Sequence, residues 1–513
     1  MKTAKFKMTG NGSGIEEVSE SSCLCASVLK KDAGVVEGCF NTETQRLRGT
    51  KFKMTEIGLI PEDWEVKRLG ELFVFKNGYN TDARNYGRGI PVASVLEALS
   101  DHPLTAKQIR GKVDASGKDQ DLFLLKRGDL IFTRSSEVLE DVGRSNVYED
   151  DACAMFGGFV IRGRPRTKHD SEFINYLLKD SSHRNRIIAK GAGAQHYNIG
   201  QNGLAKVLVS LPPLPEQKKI AEALSDVDEL LAAMTTLIEK KRAIKQGAMQ
   251  ELLTGKKRFV GFKNSESSCL CASVLKNDAG VVEGGFNTET QRRIGTEFKM
   301  TEIGLIPEDW EIKPFPECFS FIRNNTYARE SLTDSIGSVA NIHYGDVLIK
   351  YGAVLNFARD SVPYLKSGVK PNRDMLKNGD LVFADTAEDE TVGKAVEVQG
   401  VQSRMVVAGL HTVACRPREG MFAPRYLGYY INSPAYHNQL LSLITGTKVS
   451  SVSRAGFLST YVVLPPLHEQ RAIAEVLSDM DAEIEALEAK RAKYEGIKQG
   501  MMQELLAGKT RLV

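Results

Sequence analysis

SESSCLCASVLKKDAGVVEGCFNTETQRLRGTKFKMTEIGLIPEDWEVK, residues 19–67, is written a second time at 265–313. The copy is shifted by 246 positions and altered only at Lys31/Asn277, Cys39/Gly285, Leu47/Arg293, Arg48/Ile294, Lys51/Glu297 and Val66/Ile312. Identity that close marks recent duplication or continuing recombination, and a repeat of this kind dictates the architecture of the whole chain. A second repeat follows. LPPLPEQKKIAEALSDVD, from Leu211, returns as LPPLHEQRAIAEVLSDMD, from Leu464, and runs on through IKQGAMQELLTGKKR and IKQGMMQELLAGKTR at an offset of 253. Between the repeats lie residues 68–206 and 314–459, where identity mostly disappears although the order of local patterns survives. The plan is repeat, variable domain, helix, written twice.

The helices are legible from spacing. Ile220, Leu224, Val227, Leu231, Met234 and Ile238 follow a 4-3-4-3-4 rhythm, and Ile473, Leu477, Met480, Ile484 and Leu487 keep the same phase. Each series is a coiled-coil seam. Pro215 stands at the start of the first helix, Pro465 and Pro466 precede the second, and Gly255 and Gly508 follow them, the usual start and stop residues. From Glu216 to Leu253 the first would be about 57 Å long at roughly 1.5 Å per residue. An apolar seam of that width needs cover, and two copies of equal length and phase are expected to pack antiparallel on each other, with a pseudo-two-fold axis.

Inside the variable segments the period drops to two. GDLIFTR (Gly128 to Arg134) and AMFGGFVIRGRP (Ala154 to Pro165) read as strands, followed by one helical stretch from Glu172 to Ala189. GDLVFADT (Gly379 to Thr386), RMVVAGLHTVACRP (Arg404 to Pro417) and a helix around Tyr426 to Ile444 match them in order. Each segment closes on a Gly-rich or polar loop, GAGAQHYNIG (Gly191 to Gly200) or TGTKVSSVSRAG (Thr445 to Gly456), and a short strand into Leu-Pro-Pro. Trp64 and Trp310, at one place in each repeat, are expected to anchor the start of each domain in its core.

The 513 residues are enough for three or four structural units. With 42% hydrophobic and 26% charged residues, and no apolar run of membrane-spanning length, the chain reads as globular and not membrane-embedded. MKTAKFKMTGNGSG lacks the apolar stretch of a signal peptide, so a cytoplasmic location is expected. The eight cysteines form no CxxC pair and are read as reduced thiols. A net charge of +3 does not by itself point to nucleic acid.

TEIGLIPEDWEV, a GDLxF strand followed by VGR or VGK, a polar loop, and LPPLPEQKKIAEALSDVD leading into a heptad helix together resemble the specificity subunit of Type I restriction–modification systems. The resemblance covers both halves, about nine tenths of the chain. It implies an α+β chain in which two mixed α/β target-recognition domains are joined by two long antiparallel coiled-coil helices. The expected division is an N-terminal arm with the inserted repeat at 1–55, target-recognition domains at 56–210 and 301–463, helices at 211–257 and 464–513, and the second insert at 258–300. The implied partners are double-stranded DNA, two methyltransferase subunits and two motor-nuclease subunits, each domain reading one half of a bipartite, asymmetric target. The inserts, 10–50 and 264–296, depart from the family pattern and read as loosely ordered appendages. A metal site from Cys23, Cys25, Cys269 and Cys271 would need the two CxC pairs to meet.

Reading DNA needs long polar side chains on loops, with Arg suited to guanine and Asn or Gln to adenine, and cations that position the backbone. The first domain offers Arg134, Ser135 and Arg144 after the GDLIF strand and Lys190, Gln195, His196, Tyr197 and Asn198 in its loop. The second offers Arg323, Asn324, Asn325, Lys394, Lys448, Ser450, Ser451 and Arg454. Glycines beside Gln195 and Lys448 either make turns or admit a phosphate close to the backbone. Catalytic signatures are missing. GKT at Gly508 has Gln503 where a P-loop needs its first glycine, Pro212 and Pro213 follow leucine and not the Asn of an adenine-methyltransferase motif, and His468 has Pro215 as its counterpart. No catalytic residue, cofactor or metal is expected in this chain.

Overall fold

The computed structural model describes residues 50–193, 196–258, 297–368, 374–446 and 449–512. The inserts up to 49 and across 264–296, with their cysteines, and the candidates Gln195 and Lys448 lie outside the described residues. The chain divides into two compact units, one built from residues up to Thr235 together with Lys490 onward, the other from Thr236 to Ala489. Both are α+β.

In the first unit the central sheet is antiparallel, ordered Phe73–Asn77, Val160–Pro165, Leu130–Thr133 and Ser145–Val147. Leu130–Thr133 is buried along its whole length, which explains why GDLIF reads as a continuous apolar run and not an alternating one. The second unit repeats all four strands as Phe319–Ile322, Thr412–Pro417, Leu381–Ala384 and Ala395–Gln399, then adds a parallel strand at Val354–Asn356. Its other sheet pairs Val339–Ile342 parallel with Met405–Ala408 and antiparallel with Tyr364–Leu365, as Tyr86–Ala93 pairs with Met155–Phe156 and Lys112–Val113 in the first unit, and adds Leu332–Thr333 at one edge.

Each variable segment begins and ends side by side. Glu65–Arg68 pairs antiparallel with Leu208–Leu211, and Glu311–Pro314 with Tyr461–Leu464. Three expectations are corrected. The stretch 172–189 is two helices, Ser171–Lys179 and Ser181–Ile188, because Asp180 ends one and caps the next by accepting from the Ser182 amide. Its counterpart is likewise split, into Tyr426–Ile431 and Pro434–Leu441, the proline starting the second piece. The expected single strands 154–165 and 404–417 are each two strands, Met155–Phe156 and Val160–Pro165, Met405–Ala408 and Thr412–Pro417, separated by a glycine-containing turn.

The long helices span Leu214–Leu252 and Leu467–Leu505, each 39 residues. Their seams have two uses. Ile220 and Leu224 enter the core of the first unit with Phe73, Phe173 and Leu505, whereas Met234 meets Tyr494, Leu230 and Ile497. Ile473, Leu477 and Met480 enter the corresponding core with Trp310, Tyr426 and Leu252. The heptad signal therefore reports a helix that fastens its own domain in its first half. Between helices, Lys498 Nζ lies 2.5 Å from Asp228 in the first unit. In the second, Lys245 pairs with Asp481, and Arg242 Nη2 lies 2.5 Å from Glu488. Within each unit, rising numbers on one helix meet falling numbers on the other.

A buried ionic cluster closes each unit at the helix start. Trp64 and Trp310 are fully buried, as expected, and their indole N–H groups donate to Glu216 (3.2 Å) and Glu469 (3.0 Å). Arg511 donates to both Glu216 oxygens at 2.6 and 2.7 Å and to both Asp63 oxygens at 2.9 and 2.6 Å. Arg258 does the same for Glu469 and Asp309. Gly255 and Gly508 hold φ of +69° and +66°, and a Cβ on either would fall within 2.4 Å of Pro307 or Pro61, so only glycine fits there.

Candidate nucleic-acid interface

The GDL turn sets the strand that delivers the first candidates. Gly128 takes a φ of +81° that favours glycine, and the buried Asp129 accepts from the Lys126 amide (2.9 Å) while Arg164 donates to both of its oxygens at 3.0 and 2.7 Å. Gly379, Asp380, Lys377 and Arg416 repeat this turn in the second unit. The Asp380 carboxylate holds the Arg416 guanidinium above its ordinary pKa. Both strands are thereby fixed in register at one end and emit a loop at the other.

At that other end three chain segments meet. Ser135–Ser136 pairs antiparallel with Tyr197–Asn198, Tyr197 opposite Ser136 and Asn198 opposite Ser135, whose side chains hydrogen-bond. The Arg134 amide donates to the Phe159 carbonyl (2.9 Å), and the Ile199 amide to the Arg134 carbonyl (3.0 Å). The second unit builds the same junction from Thr386–Ala387 and Ser450–Ser451, with the Asp385 amide donating to His411 (3.1 Å) and the Val452 amide to Asp385 (2.9 Å). Sequence spacing assigned these loops separately; the backbone joins them.

The candidates divide accordingly. Arg134, Ser135, Tyr197 and Asn198 share one ladder, with exposed His196 beside it and exposed Lys190 at the end of the preceding helix. Ser450 and Ser451 lie in the matching ladder. Arg454 follows it, donating to Asn324 (3.3 Å) and lying 5.5 Å from the Phe321 ring, while Asn324 donates to the Gly409 carbonyl (3.2 Å). Arg323 is exposed, with its amide held by Asp374. Three candidates face the protein. Arg144 is tied to Asp141, Asp101 and the Leu99 carbonyl, each at 3.4 Å. Asn325 is 2% exposed and donates to Asn341 at 2.6 Å. Lys394 donates to the Leu348 carbonyl at 2.8 Å, and its burial pushes its pKa down.

Sequence reasoning missed Asp385 and Thr386, the positional equivalents of Arg134 and Ser135, and both turn residues, Phe159 and His411. Superposing GDLIFTRSS on GDLVFADTA would have found the first pair. The turn residues were hidden by reading 154–165 and 404–417 as unbroken strands. Among the described residues no group of three or more His, Cys, Asp or Glu is arranged to hold a metal ion.

The family model for the Type I restriction modification DNA specificity domain matches residues 61–243 and 307–495. The putative type I restriction enzyme MjaX specificity subunit of Methanocaldococcus jannaschii is 27% identical over 477 residues, covering 90% of this chain and 97% of its own length. The MjaVIII specificity subunit of that organism is 24% identical over 469 residues, covering 88% and 94%. The EcoKI specificity subunit of Escherichia coli is 24% identical over 367 residues, covering 70% and 69%. A crystal structure of the S subunit of a Type I restriction–modification system from M. genitalium aligns with a TM-score of 0.48 at 15% identity, over 89% of this chain and 98% of that one.

Proposed function

The chain belongs to the family of Type I restriction modification DNA specificity domains, carries that domain twice, and is a specificity subunit and not a catalytic one. On that premise we propose that each unit reads one half of a bipartite, asymmetric duplex target. The chain directs adenine methylation by two methyltransferase subunits and, when two motor-nuclease subunits join, ATP-dependent restriction. It works in the cytoplasm; among the described residues no helix is long and apolar enough to cross a membrane. The reading domains are 56–210 and 301–463, and the paired helices act as an antiparallel coiled coil.

One observation carries this reading. The same three-segment junction is built twice on a shared four-strand frame, and the side chains it presents differ: Arg134 and Ser135 against Asp385 and Thr386. A constant backbone with exchanged polar side chains is what sequence readout by groove contacts requires, since bases are told apart by donor and acceptor patterns. Arg134 suits guanine and Asp385 suits the amino group of cytosine, so the halves of the target should differ. Among the other candidates, Lys190, Lys448, Arg323 and Arg454 position phosphates, while Gln195, His196, Tyr197, Asn198, Ser450 and Ser451 reach base edges.

The test is the methylome of cells expressing the chain with its methyltransferase partner. A two-part adenine-methylated motif with a fixed spacer is expected. A single contiguous motif, or methylation unaffected by the presence of this chain, overturns the reading. The purified chain by itself should neither transfer methyl groups nor hydrolyse ATP.

A further inference from the structure

Phe159 is a large apolar side chain left 69% exposed, beside the polar junction and next to Arg134 through the backbone. Its turn is held tightly. The Gly78 amide donates to Val160 (3.1 Å), Tyr79 to Phe156 (2.9 Å), and Val160 to Gly157 (3.1 Å). A Cβ on Gly78 would fall 1.9 Å from the Gly157 carbonyl oxygen, so the two backbones touch. An exposed phenyl has only two torsions to fix on binding, and among the described residues no aromatic ring packs on it. In the second unit the same place holds His411, half exposed, at a φ of +54° that a non-glycine residue rarely adopts. Its Nδ1 is 3.8 Å from Asp385, and the Tyr344 ring lies edge-on at 5.3 Å. Gly409 fixes that turn by donating to the Ile342 carbonyl (2.8 Å).

We propose that this turn is a specificity-determining element of the junction and that Phe159 reads the 5-methyl group of a thymine in the half-site contacted by the first unit. The inference rests on the DNA-reading function proposed above and adds a residue to it. Thymine alone among the bases offers an apolar group in the major groove, and a phenyl edge recognises it by contact, beside a guanidinium that reads a neighbouring guanine. His411, polar and turned toward Asp385, has no such use for a methyl group. The thymine contact belongs to one half-site only.

Duplexes carrying the motif found by methylome sequencing, with each thymine replaced in turn by deoxyuridine, test this on the complex of the full chain with its methyltransferase. One replacement in one half-site should weaken binding about fourfold, the factor for burying a single methyl group. Phe159→Ala should lose that sensitivity, bind the thymine duplex as weakly as the wild type binds the deoxyuridine duplex, and leave the other half-site unchanged. Phe159→Leu, which stays apolar, should keep part of it. Equal thymine-to-deoxyuridine ratios for wild type and Phe159→Ala, or a first half-site without thymine, overturn the inference while the reading function stands. A wild-type complex that selects no motif overturns both.

Discussion

Arg511 and Arg258 each bind two carboxylates along two edges of the guanidinium and lay the group over an indole ring at 5.8 or 5.7 Å. With Glu216 2% exposed, removing the arginine leaves a buried carboxylate without its counter-charge, held among the described residues only by the Trp64 indole N–H. Arg511→Ala should therefore lower the unfolding free energy of the first unit by about 3–5 kcal/mol in urea titrations, and Arg511→Lys should rescue only part, lacking the fork. Glu172 gives a signature in pH. Burial, with Glu149, Asp170 and Asp228 nearby, pushes its carboxyl up to about 7 despite a hydrogen bond to Ser225. A folded-state pKa above the ordinary 4.5 means its contribution is complete below that value and lost as pH rises through 7. Glu172→Gln should flatten the decline in stability between pH 4.5 and 8, followed by urea unfolding; an unchanged slope would show that the group does not titrate there. Trp64 and Trp310 were legible as anchors, because large rings at matching repeat positions seek a core. Their carboxylate and guanidinium partners were not, being separated from Trp64 by 152 and 447 positions with no local pattern to join them.

The long helices show what periodicity reports. It located both, the first from Glu216 where the structure starts it at Leu214, because apolar residues every three or four positions have no other economical use. It did not tell which surface the seam would meet, since a strand core and a second helix make the same demand. A polar triad fastens helix to domain and to the other helix. Tyr176 donates to Asp228 at 2.8 Å, and Lys498 both pairs with Asp228 and lies 5.7 Å from the Tyr176 ring. Tyr429, Asp481 and Lys245 form its twin. Asp228→Ala should destabilise the first unit by about 3 kcal/mol, because a partly buried ammonium and a phenol lose their acceptor together. Asp228→Ala combined with Lys498→Met should recover much of that loss; a double mutant no more stable than the single one would deny the coupling. The two-residue strands of the reading junction were beyond sequence analysis, since a run of two has no period, and the gap of about sixty residues between Ser135 and Asn198 conceals the pairing.

At the scale of the molecule, each variable segment leaves and rejoins the frame through one antiparallel pair, Glu65–Arg68 with Leu208–Leu211 in the first unit. Exchanging 68–206 for the same segment of another specificity subunit replaces what lies beyond that pair without moving it. The methylated motif should change in one half and keep the other, and a swap that altered both halves would refute independent reading. The near-identical stretches 19–67 and 265–313 end at these same strands. If the coding DNA is as alike as the protein, recombination there would make such exchanges, and long-read sequencing of a growing population should find more than one arrangement.

The first unit includes residues from 490 onward, whereas the second is one unbroken stretch, 236–489. Synthesis runs from the N-terminus, so the half translated first is the half that must wait. While Arg511 is still untranslated, Glu216, Asp63 and Trp64 have no closing partner, and Leu505 and Leu506 are missing from the core around Phe73. The second unit has every one of its residues before that moment. A ribosome-bound chain arrested with 489 residues exposed should hold a protease-resistant second unit behind a first unit still open to cleavage. Birth order and folding order would run in opposite directions.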